Sequence, residues 1–260
     1  MLVPSLACGR IQTPIPSVER SLSPEAESDT LIIFLPGFSD RSSDYLEHEF
    51  DRQLYAAGIE ADAIFLDAHF GYYRRGLIGP RVLHEVIEPA RAEGKSIWIV
   101  GISMGGVGAL LSARDAKGVD GLVLMSPYLG RPKTVGGIIE AGGVDAWTPP
   151  AEEGQWDEEL WRWIAEDYDR STPLYVGWGD QEENSVPNFE LIASLAGPDH
   201  VFVESGPHEW TTWEKIWPKV LAAGAFRGPG AAGHKAGAEG LEGAEATEAV
   251  DSAAGGVAGE

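Results

Sequence analysis

The 260-residue chain is short of three things, and each shortage excludes something. It has one cysteine, Cys8, which rules out an intramolecular disulfide and any zinc cluster built on cysteine. It has 19 Lys and Arg against 41 Asp and Glu, a formal charge of −22. Nucleic acids and anionic lipid surfaces need cationic patches, so neither is expected as a partner. No run approaches the ~18 consecutive apolar residues of a membrane-spanning helix, so no stable insertion is expected. There is also no internal repeat. A cytoplasmic location is therefore the expectation. One alternative hangs on Ser5-Leu6-Ala7-Cys8-Gly9, which loosely matches the end of a bacterial lipoprotein signal. Were the true start upstream, the protein would be lipid-anchored or periplasmic.

What the chain does have is an alternation of apolar runs and helix-like stretches. Residues 1–29, rich in proline and serine, suit an irregular arm or poor edge strands. Strands are expected at Thr30–Phe34, Ala61–Leu66, Ile97–Val100, Asp120–Met125, Thr172–Trp178 and His200–Glu204. Helices are expected at 42–58, 79–94, 105–114, 185–196 and 209–224. Spacing of this kind predicts an α/β fold, a mostly parallel sheet with helices on both faces. The pattern breaks over 131–170, a stretch carrying Trp147, Trp156, Trp161 and Trp163 that reads as a cap-like insertion. In the closing helix Trp210, Trp213 and Trp217 recur at i, i+3, i+7, a face that buries itself. After Phe226 the chain turns to Gly, Ala and Glu, and 227–260 is expected to be a disordered tail. The compact domain is thus 30–226.

The chemistry centres on Ser96–Gly108, SIWIVGISMGGVG, where a buried strand runs into a turn and then a helix. Gly101-Ile102-Ser103-Met104-Gly105 fits G-x-S-x-G, in which small residues on either side let the backbone turn sharply enough to expose a serine hydroxyl. In a chain with 33 glycines the pattern alone is weak; its strand-turn-helix setting supplies the specificity. A serine hydroxyl is a poor nucleophile near neutral pH and needs a base, a group to orient the base, and donors for the oxyanion. His208, after the last strand, is the candidate base. Asp180, after Tyr175-Val176-Gly177-Trp178-Gly179, is the candidate acid, with Glu182 and Glu183 as its neighbouring substitutes. The backbone amides of Phe38 and Met104 are the candidate oxyanion donors. Gly37, His69, Tyr72 and Tyr128 are the candidate pocket residues, and Tyr73, Arg74 and Arg75 add aromatic and cationic character to its expected rim.

The order serine, acid, histidine, each after its own strand, together with GISMGG at 101–106, Gly179-Asp180 and Gly206-Pro207-His208-Glu209-Trp210, resembles the α/β-hydrolase superfamily, within its small serine esterases and acyl hydrolases. The resemblance runs from about Thr30 to Gly224. It places the insertion between the sixth and seventh strands of that fold. It implies hydrolysis of an ester-like bond of a small molecule through an acyl-enzyme, with no cofactor and no metal. The resemblance departs from the family in two places. The common His-Gly of the oxyanion turn is Pro36-Gly37 here, and the acid turn is longer than usual before Val186, which keeps Glu183 open as the acid. An acyl thioesterase on the same triad and a non-catalytic binding protein on a hydrolase fold are the alternatives. The dehalogenase and epoxide hydrolase members place Asp where Ser103 stands.

Overall fold

The computed structural model describes residues 10–23, 28–152, 154–182 and 185–227. Cys8, Glu183 and the tail from 228 onward lie outside the described residues, and so do the expectations attached to them. Seven strands form one sheet: β1 (Ser17–Ser21), β2 (Thr30–Leu35), β3 (Asp62–Leu66), β4 (Ser96–Ile102), β5 (Gly121–Met125), β6 (Leu174–Gly179) and β7 (Val201–Glu204). Their spatial order is β1-β3-β2-β4-β5-β6-β7, with β1 antiparallel to β3 and every other pair parallel. The arm before Thr30 therefore supplies an edge strand, Ser17 pairing with Leu66, and the sheet begins earlier than a domain start at residue 30 implies.

The central strands are apolar on both faces because both faces are covered. In β4, Ile97 and Ile99 face one core while Trp98, Val100 and Ile102 face the other; in β2, Leu31, Ile33 and Leu35 divide in the same way from Ile32 and Phe34. The first core is covered by α3 (Phe70–Arg74), α4 (Ile78–Val82), α5 (Glu88–Ala92), α6 (Met104–Asp115) and α9 (Val186–Ala193). The second is covered by α1 (Ser42–Glu47), α2 (Phe50–Ala56) and α10 (Trp210–Ala222). Two expected helices are interrupted. The 42–58 stretch breaks at Glu49, whose φ of 59° is left-handed. Between α4 and α5 lies a π-helical turn at Leu83–Ile87, just ahead of Pro89, which has no N–H to continue the α-helical ladder.

The 131–170 stretch folds as α7 (Pro132–Glu140) and α8 (Trp156–Glu166), between β5 and β6. Arg131 clamps the start of α8 through Asp157, with Nη2 to Oδ1 at 2.7 Å and the Arg131 N–H to Oδ2 at 2.9 Å. Burial pushes the Asp157 carboxyl up, but hydrogen bonds from Arg131 and Thr134 and the guanidinium charge outweigh it, and its pKa lies below the usual carboxylate range. Trp161 is fully buried and donates from Nε1 to the Leu129 carbonyl at 2.9 Å. Trp147 and Trp163 pack at the edge of the first core. Trp156 alone of the four is exposed.

Candidate active site

Ser103 sits between β4 and α6 with φ 52° and ψ −115°, a conformation that costs a non-glycine residue about 1–3 kcal/mol. Neighbouring backbone holds it there. The Ser103 N–H donates to the Met125 carbonyl at 2.9 Å, and the Ser103 carbonyl accepts from Gly106 at 3.0 Å and Tyr128 at 2.8 Å. Close approach dictates the flanking glycines. A Cβ on Gly105 would lie 1.9 Å from the Leu35 carbonyl oxygen, and one on Gly101 would lie 2.2 Å from that of Gly105. Any other residue at either position would push α6 off the sheet.

His208 reaches this serine from the loop between β7 and α10, its Nε2 lying 2.9 Å from Ser103 Oγ. Its other nitrogen, Nδ1, lies 2.5 Å from Oε2 of Glu182. The Trp213 ring packs edge-on against the imidazole, centroids 5.2 Å apart at 87°. Glu182 is a buried acceptor: its Oε1 takes hydrogen bonds from Ser126 Oγ at 2.6 Å and from the Gly179 N–H at 2.9 Å. Burial pushes its pKa up, but hydrogen bonds from His208, Ser126 and Gly179, with the charge of His208, prevail and leave it lowered. An ionised carboxylate only accepts, so Nδ1 carries the proton that Glu182 receives. In the neutral imidazole Nε2 is then the free acceptor facing the serine hydroxyl.

The carboxylate against the imidazole is therefore Glu182 and not Asp180. The physical reason is the length of the turn after β6. Asp180 is exposed; its N–H donates to the Glu204 carbonyl at 2.8 Å, and its Oδ1 accepts from the Gly206 N–H at 3.0 Å. It ties the acid turn to the histidine loop. The chain needs two further residues to bring a carboxylate back under the imidazole, and it anchors that carboxylate on Ser126, itself at φ 44° and bonded to Trp213 Nε1 at 3.0 Å. Ser126 was missed by sequence reasoning. Its signal was its place immediately after β5, one strand along from the elbow.

The Pro36-Gly37-Phe38 turn follows β2 and lies beside Ser103: a Cβ on Gly37 would be 3.6 Å from Ser103 Cβ. Among the described residues neither the Phe38 N–H nor the Met104 N–H is paired with a protein acceptor. Met104 is the first residue of α6, where the helix dipole favours negative charge. Asp40 braces the turn, accepting from Trp210 Nε1 at 3.2 Å. Burial raises its pKa above the ordinary value against the pull of that hydrogen bond.

A cavity of about 650 Å³ opens at Ser103, lined at its mouth by Phe38, Tyr128 and Trp156. Of the four expected pocket residues only Tyr128 lines it; Gly37 lies in the turn beside Ser103 and is not among the walls, and the other two are elsewhere. Tyr72 is fully buried beneath the pocket wall, with its hydroxyl bonded to Gln12; the neighbouring Tyr73 lines the cavity in its place. One residue along a helix is a rotation of ~100°, which decides the face. His69 caps α3, its Nδ1 accepting from the Gly71 N–H at 3.0 Å, and it is not among the cavity walls. Arg74 lines the cavity and Arg75 does not.

No protein-family model matches the chain, and no curated protein matches its sequence. Solved structures do match in shape. The fluorophosphonate-binding serine hydrolase FphF of Staphylococcus aureus is 15% identical over 80% of this chain and 98% of its own, with a TM-score of 0.51. Est1E of Butyrivibrio proteoclasticus is 18% identical over 79% and 90%, with a TM-score of 0.52. The S-formylglutathione hydrolase FrmB of Staphylococcus aureus is 14% identical over 82% and 98%, with a TM-score of 0.50. The chain has the α/β-hydrolase fold.

Proposed function

We propose that the protein is a serine hydrolase that cleaves a carboxylic ester through Ser103, His208 and Glu182. The observation that carries the reading is the relay of contacts, 2.9 Å from Ser103 Oγ to His208 Nε2 and 2.5 Å from Nδ1 to Glu182 Oε2. As Ser103 Oγ attacks the ester carbon, its proton passes to Nε2, and Glu182 stabilises the imidazolium that forms. The carbonyl electron pair moves onto oxygen, where the N–H groups of Phe38 and Met104 receive it; each such donor is typically worth about 10²–10³ in kcat. The tetrahedral adduct collapses, the C–O bond breaks, and the leaving alkoxide takes the proton from Nε2. Water then attacks the acyl-Ser103 ester with its proton going to Nε2, and collapse returns that proton to Oγ as the carboxylic acid leaves.

The fold shared with FphF supports this reading, since that protein is a fluorophosphonate-binding serine hydrolase. The test is Ser103→Ala. Hydrolysis of p-nitrophenyl acetate falls by about 10⁴–10⁶-fold and labelling by a fluorophosphonate probe disappears. Labelling that persists on another residue of the variant overturns the assignment.

A further inference from the structure

The cavity at Ser103 runs along α6. Met104, Val107 and Leu111, at i, i+3 and i+7 on one face, form its floor, and Phe70 and Ile78 stand along a wall. Three of the six large apolar side chains exposed among the described residues, Phe38 at 47%, Tyr128 at 45% and Trp156 at 41%, gather at its mouth. Exposed apolar surface concentrated on one cavity marks a binding site. The far end is lined by Gly79, Arg114 and Asp115. There α4 crosses α6 so closely that a Cβ on Gly79 would lie 2.2 Å from Asp115 Oδ2 and 3.0 Å from the Leu111 carbonyl oxygen. The ion pair of Arg114 and Asp115, Nη2 to Oδ1 at 2.8 Å, puts charge at that end.

We propose that this groove holds the acyl chain of the substrate and measures its length, so that the preferred esters carry unbranched acyl groups of medium length. The proposal rests on the hydrolase reading above and deepens it. From Met104 to Leu111 is about 10 Å along the helix axis and from Met104 to Asp115 about 16 Å, at ~1.5 Å per residue. An extended chain with bonds of ~1.5 Å and angles near 111° advances about 1.25 Å per carbon, so the groove spans about 8 to 13 carbons. A shorter acyl group leaves apolar floor unfilled. A longer one must leave the groove or meet the charged pair, which costs it the gain of burial.

The experiment is a series of p-nitrophenyl esters from acetate to hexadecanoate, below their micellar concentrations, on the full chain. The expected kcat/KM rises at least tenfold from acetate to the octanoate–dodecanoate range and falls at hexadecanoate. Leu111→Trp, which puts an indole across the floor, lowers the decanoate-to-acetate ratio at least tenfold. Because the ratio is taken within one sample, partial unfolding cancels. Leu111→Ala serves as the second variant and moves the maximum to longer chains. A series that is flat, that peaks at acetate or that still climbs at hexadecanoate overturns the ruler while leaving the hydrolase reading in place, and so does a ratio unmoved by Leu111→Trp. Absence of both turnover and fluorophosphonate labelling in the wild type overturns the hydrolase reading itself, and the ruler with it.

Discussion

Two turns at the ends of nearby strands meet at His208, and they are built differently. The elbow after β4 takes its shape from backbone contact: Gly105 lies so close to Leu35 and Gly101 so close to Gly105 that no side chain fits, and Ser103 is held at φ 52° between them. The turn after β6 takes its shape from side-chain hydrogen bonds. Ser126 and the Gly179 N–H hold one oxygen of Glu182 and leave the other for the imidazole, while Asp180 fastens the turn to the histidine loop. A turn fixed by sterics has almost no freedom in residue type or spacing. One fixed by hydrogen bonds can place its carboxylate at several positions, provided something buried receives it.

The contrast can be broken from either side. Among substitutions that leave Ser103, His208 and Glu182 in place, the largest effect is expected at the elbow. Gly105→Ala forces a Cβ to within 1.9 Å of the Leu35 oxygen unless α6 moves, which costs about 1–3 kcal/mol or more and displaces the nucleophile. Fluorophosphonate labelling should slow by about 10²-fold, with a lower melting temperature in the same sample; a variant as stable and as reactive as wild type would show that the elbow is not sterically fixed.

On the acid turn, Ser126→Ala removes one of the hydrogen bonds that lower the pKa of Glu182. Hydrogen bonds to charged groups are worth about 1.5–3 kcal/mol, so the loss of kcat is expected between about tenfold and a hundredfold. The pH dependence follows from the sign of the shift. A carboxyl whose folded pKa lies below its ordinary 4.5 contributes stability that is complete above that value and is lost as pH falls through the depressed pKa. Ser126→Ala moves the loss to higher pH, which melting curves between about pH 3 and 6 would detect; superimposable acid limbs would exclude the role of Ser126. The smallest effect belongs to Asp180→Asn, which keeps an oxygen for the Gly206 N–H. It should change kcat by no more than about threefold, since the hydrogen bond lost or weakened there is worth ~0.5–1.5 kcal/mol at most and touches no reacting group.

The same division explains what could be read from the sequence. The four strands β2, β4, β5 and β6 were legible because burial on both faces demands continuous apolar runs, and the elbow was legible because only glycine tolerates its contacts. The antiparallel strand Ser17–Ser21 was obscured by its exposed side chains, which leave an edge strand without periodicity. Glu182 was legible only as one of three neighbouring acids. Nothing local separates it from Asp180; what does is a hydroxyl 56 positions away that comes near only when β5 and β6 pair. Tyr72 and Tyr73 were both expected around the pocket and only Tyr73 lines it, because the faces of a five-residue helix cannot be phased from so few side chains. The insertion's tryptophans divide likewise: packing buried Trp161, and only Trp156 reached the cavity.

The decisive measurement sets Glu182→Gln beside Asp180→Asn and reads kcat for one p-nitrophenyl ester, with near-ultraviolet circular dichroism to show both are folded. If Glu182 orients His208, its amide variant loses about 10³–10⁴-fold while the Asp180 variant stays near wild type. A loss of that size at Asp180 with Glu182→Gln nearly unimpaired would contradict the account.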